Sequence, residues 1–128
     1  MPEQRVEPMT TVNKLKAASQ RLTEGRAQLQ DAIEAVEKLL ADKFGTEVSA
    51  DTVVTEWWLR FSQGRLLCFT PGGARHQLRD APASVQMEVS RGLVSLLDAI
   101  RQASNETAHK MQDAEQRYTD FRDLLRGL

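Results

Sequence analysis

The feature that most constrains this chain is a heptad seam in its C-terminal third, from Leu93 to Leu128. Steps of four and three alternate without a slip through Leu93, Leu97, Ile100, Ser104, Thr107, Met111, Ala114, Tyr118, Phe121, Leu125 and Leu128. Leu97, Ser104, Met111, Tyr118 and Leu125 take the a positions and the others take d. A stripe about 100° wide or less cannot be buried against its own helix, so it calls for partner helices.

Bulk properties narrow the class. A length of 128 residues suits one domain with a core of its own. A net charge of −1 argues against a dedicated nucleic-acid coat or membrane-surface protein. No run approaches the roughly eighteen apolar residues of a membrane span. The opening Met-Pro-Glu-Gln-Arg lacks the apolar centre of a secretory signal. Cys68 is the single cysteine, which excludes an intrachain disulfide. A reduced, cytoplasmic protein is expected.

Along the chain, residues 1–9 hold Pro2 and Pro8 and read as a flexible arm, leaving 10–128 as a single domain. Thr10 or Thr11 can cap a helix over 11–44, with Leu15, Leu22, Leu29 and Val36 spaced by seven. Ala18, Gly25, Ala32 and Leu39 form a second row, and its small members suit a close neighbour or, at Gly25, a kink. Gly45 follows Lys43 where a helix-ending glycine belongs.

Val53 to Phe61 is β-branched and aromatic, which predicts a strand. Ser62-Gln63-Gly64 turns it back into Arg65–Thr70, giving a hairpin over 53–70, with a third short strand over 75–79 after Pro71-Gly72-Gly73. Asp80-Ala81-Pro82 opens a second helix over 82–126, with Asp80 as its cap. Its weak point is 104–107, where the seam turns polar; the unbroken register favours continuity there. The fold class is therefore mainly α with a small antiparallel hairpin or meander, and the two long helices are expected to pack as an antiparallel, coiled-coil-like pair.

Chemistry-bearing constellations are sparse. Glu106 and His109 have the Glu-x-x-His spacing of di-iron bundles, but they fall at c and f, away from the seam, so no metal is assigned. Cys68 sits in an apolar strand, where an inert buried thiol is usual, and nothing in the sequence fixes His76 against it. No catalytic residue, cofactor or small-molecule substrate is expected.

Charge position says more. Between Trp57 and Arg79 lie Arg60, Arg65, Arg75, His76 and Arg79 with no acid, interleaved with Trp57, Trp58, Phe61 and Phe69. Three readings stay open: aromatics as core with arginines paired to nearby acids, a protein-binding patch, or a stacking and phosphate-binding surface. Alternation puts Trp57 toward the core and Trp58 beside Arg60 outside.

In element order the chain resembles two groups: the small prefoldin subunits, whose coiled-coil arms flank a β-hairpin, and the YbaB/EbfC nucleoid proteins, dimers built of helix, meander and helix. The resemblance is one of topology, and it implies assembly with other chains.

The expectation is thus a non-enzymatic protein-binding module, an adaptor, chaperone-like subunit or inhibitor, and a homodimer. Trp58, Arg60, Arg65, Arg75, His76 and Arg79 would meet the partner. Met111, Ala114, Tyr118, Phe121, Leu125 and Leu128 would form the oligomer seam. The alternative is a dimeric DNA- or RNA-binding protein using the basic hairpin.

Overall fold

A computed structural model describes the backbone of residues 2–128 and the side chains of residues 9–128. The chain divides into two compact units, Met1–Ala35 and Val36–Leu128.

Helix α1 runs over Pro2–Phe44. The start expected at residue 11 therefore moves back to Pro2, whose missing N–H is harmless in a first turn. The arm expected over 1–9 falls mostly on residues whose side chains lie outside the described ones. In the first unit Leu15 and Leu22 are exposed, and the helix passes Gly25 unbroken with nothing within 4 Å of a side chain placed there. At the other end Gly45 takes φ 70° and its N–H reaches Ala41 O at 2.8 Å, so α1 stops where the sequence places its stop.

The second unit holds a four-stranded antiparallel sheet in sequence order: β1 Ala50–Val54, β2 Trp57–Ser62, β3 Arg65–Phe69 and β4 Arg75–Gln77. The single strand expected over 53–61 is two strands, because the chain reverses at Thr55-Glu56 and pairs Val54 with Trp57. Thr55 adopts φ 54°, a left-handed conformation that a β-branched residue rarely takes. Its hydroxyl lies 3.1 Å from Glu88 Oε1, and the register on either side holds it there. The second hairpin turns at Gln63-Gly64, both with positive φ, the geometry that matches strand twist. Thr70 closes the third turn, bonding Ala74 and Gly73 through its backbone and Ala74 N–H through Oγ1.

Alternation then sets the two faces. Val54, Leu59, Phe61, Leu66 and Cys68 share the inner face and are buried. Each of the valine, leucine and phenylalanine side chains contributes about 1.5–3 kcal/mol through burial. Leu78, Val89, Leu96 and Ile100 close the core from the helical segments.

The helix expected over 82–126 is divided. A 3₁₀ turn at Leu78–Asp80 leads to Pro82, which occupies the cap position of α2, Ala83–Val89, with no side-chain cap bond. Asp80 belongs to the preceding turn and is not the cap. Gln86, 6% exposed, instead donates Nε2 to Leu78 O at 2.9 Å. A second 3₁₀ turn, Ser90–Gly92, separates α2 from α3, Leu93–Arg126. Here Gly92 is buried against β1, and a methyl group in its place would collide with Val54 Cγ2. Past that turn α3 is continuous through 104–107. The Ser104 hydroxyl is satisfied within the helix by Ile100 O at 2.7 Å.

What α3 leans on is the sheet, chiefly β1 and β2. Leu96 and Ile100 face inward there, while Leu97 is 51% exposed. No extended helix–helix seam forms within Val36–Leu128, so the fold confirms a mainly helical chain with an antiparallel sheet and does not confirm the coiled-coil pairing. The sheet takes the apolar side of the first turns of α3 instead.

Candidate protein-binding surfaces

The outer face of the sheet gathers part of the expected patch. Cross-strand pairing sets Trp58 between Val53 and Phe69, and Phe69 beside Arg75. Trp58 is 45% exposed, as alternation requires. The Arg60 guanidinium lies 4.7 Å from the Phe69 ring centroid and donates to Asp51 Oδ2 at 3.0 Å. Its charge is thus shared between an aromatic face and a carboxylate, both at the surface. Asp51, Trp58, Arg60, Phe69, Thr70 and Pro71 line an open depression of about 310 Å³.

The remaining expected residues scatter. Arg65 pairs with Ser62 near the Gln63-Gly64 turn, on the outer face but at the far end of β3. His76 pairs with Cys68 and so belongs to the opposite face. Arg79 leaves the sheet and donates Nε to Glu37 Oε1 at 3.2 Å. The patch that the structure brings together is Trp58, Arg60 and Arg75 around Phe69.

Glu37 is the residue that the sequence concealed. Only 2% exposed, it accepts the Leu66 N–H on Oε2 at 3.0 Å and Arg79 on Oε1. Leu66 N–H needs this acceptor because β4 pairs no further than Leu67. A helical glutamate carries no local mark of burial; a lone arginine downstream of β4 is the only hint.

Cys68 and His76 are cross-strand neighbours, so the register does fix their relative placement, contrary to the sequence expectation. Burial pushes the Cys68 thiol up, away from the thiolate that nucleophilic attack requires. Glu106 and His109 are both exposed. Among the described residues no cluster of three metal-binding side chains occurs, and no helix is long and apolar enough to cross a membrane.

A run of apolar side chains is exposed along the end of α3. Met111 is 53% exposed, Tyr118 77%, Phe121 59% and Leu125 52%, while Leu128 is fully exposed. Ala114, Arg117, Tyr118 and Phe121 frame a hollow of about 370 Å³ on that stripe. A second hollow, about 550 Å³, lies between Phe44, Val94, Leu97 and Ser104.

No protein-family model, curated protein or solved structure matches this chain, so the likeness to prefoldin subunits and nucleoid proteins rests on element order alone.

Proposed function

We propose that the protein is a non-enzymatic binding module that acts by occupying a partner's surface, as an adaptor, chaperone-like subunit or inhibitor, and that it works as a homo-oligomer. One observation carries this reading. From Met111 to Leu128 the seam of α3 stays uncovered, a contiguous apolar strip of the kind that marks interaction sites. The Trp58–Phe69–Arg60 cluster supports a second contact, since exposed tryptophan and arginine are favoured at the centres of interfaces. A cytoplasmic setting fits the single buried thiol.

The test is capture from cells of the native host. Phe121→Asp with Leu125→Asp is expected to lose the captured proteins while the helical circular dichroism is retained. Unchanged capture would end this reading. Trp58→Ala with Arg60→Ala tests the sheet face in the same way.

The nucleic-acid alternative draws support from exposed Arg65 and Arg75 beside the aromatics, but Arg60 and Arg79 already hold carboxylates. Binding that neutralises several phosphates weakens steeply between about 50 and 200 mM salt. A mobility shift with that salt dependence would favour it over protein binding.

A further inference from the structure

We propose that the occupant of the α3 strip is the same strip of a second copy, running antiparallel, with Tyr118 of each chain against Phe121 of the other. The inference rests on the proposed role of α3 as a binding surface and names its partner and register.

Size complementarity favours this arrangement. The register places Leu125 of the second copy over Ala114, at the hollow that Ala114, Arg117, Tyr118 and Phe121 frame. A large knob over a small residue fills such a hollow, and Met111 opposite Leu128 closes the row. A parallel, in-register pair sets Ala114 on Ala114 and Phe121 on Phe121, which alternates voids with overpacking.

Charge selects the same register. Glu115 and Arg122 occupy e positions, and in antiparallel pairs e faces e. With Tyr118 opposite Phe121, Glu115 of each chain faces Arg122 of the other, twice by symmetry. A shift of one heptad either way sets Glu115 on Glu115 or Arg122 on Arg122. The parallel pair sets Arg117 on Arg122, which offsets its one attraction, Lys110 with Glu115. Arg122 is free to reorient, because its present partner is the neighbouring Asp123 at 3.4 Å, both more than half exposed.

Leu124 supplies an independent point. It stands at g, outside the a/d seam, yet it is apolar and 71% exposed. In the antiparallel register Arg117 of the second copy lies beside it, and the aliphatic stem of that arginine covers it while its guanidinium stays in water.

The experiment uses the full chain. Sedimentation velocity at tens of micromolar is expected to show a dimer. Glu115→Arg or Arg122→Glu alone weakens it about tenfold, and the two combined in one chain restore it, since both pairs are then exchanged. For orientation, Glu115→Cys and Arg122→Cys chains are mixed and oxidised, with wild type controlling for buried Cys68. A disulfide between unlike chains is expected. Cross-linking of Lys110→Cys with Glu115→Cys instead, or a monomer throughout, overturns the inference. In either of those cases the capture experiment with the Phe121→Asp, Leu125→Asp chain still decides the proposed function separately.

Discussion

Glu37 and Arg79, forty-two residues apart, form an ion pair at 3.2 Å in which the carboxylate is 3% exposed and the guanidinium 27%. The same carboxylate accepts Leu66 N–H, so one side chain ties the end of α1 to β3 and to the turn after β4. Glu37→Ala strands a buried N–H and an unmatched cation. The expected loss is about 2–4 kcal/mol, below the full cost of an unpaired buried charge because Arg79 reaches solvent. Urea denaturation measures it. Glu37→Gln keeps an acceptor for Leu66 and is expected to cost less. A Glu37→Ala, Arg79→Ala cycle with no coupling would show that the pair is incidental.

Gly92→Ala opposes two effects. A helix-compatible alanine gains up to about 1 kcal/mol by restricting the unfolded chain. Overlap with Val54 costs about 1–3 kcal/mol, and overlap wins because Val54 is 6% exposed and stiff about χ1. The variant is expected to melt below wild type, and Val54→Ala added to it should cost less than it does alone. A raised melting temperature for Gly92→Ala would refute the close approach.

Cys68 is fully buried, and burial pushes its thiol up. The unfolded thiol then loses its proton at lower pH than the folded one, so stability falls as pH rises through the unfolded thiol's range, near 8.5. Denaturation midpoints of wild type and Cys68→Ala are expected to run parallel below that range and to diverge once pH enters it. Thiol reagents at neutral pH should label Cys68 only as fast as the chain opens. Labelling at the rate of a free peptide thiol would contradict its burial.

Gly25 stands in open space within a continuous helix. Gly25→Ala is expected to stabilise the chain by about 1 kcal/mol on helix propensity alone. Gly25→Leu reads something else. If a partner backbone approaches there, the leucine abolishes capture while the alanine is tolerated.

Much of the architecture is legible in local pattern. Gln63-Gly64 marks its turn, Gly45 its stop, and alternation along β2 sends Leu59 and Phe61 inward and Trp58 outward. Continuity of α3 across Ser104 followed from the heptad register, and the hydroxyl bond to Ile100 O shows how a weak helix former is accommodated. Of the expected sheet patch, Trp58 and Arg60 stand together. Arg79 is diverted by a glutamate whose burial no neighbouring residue announces.

Periodicity alone determined that this chain has two long helices with a small antiparallel sheet between them in sequence, because 3.6-residue and 2-residue spacings act over a few positions and need no distant partner. Tertiary structure decided the reversal at Thr55-Glu56, which has no glycine or proline to announce it. Left-handed backbone there costs about 1–3 kcal/mol, which the paired strands and the buried Val54 offset. It also decided the break at Gly92, which answers to Val54 on another element. And it decided how much of α3 the sheet would cover: Leu96 and the seam residue Ile100 turn inward, while Leu97 and the seam from Met111 through Tyr118 and Phe121 are left facing out.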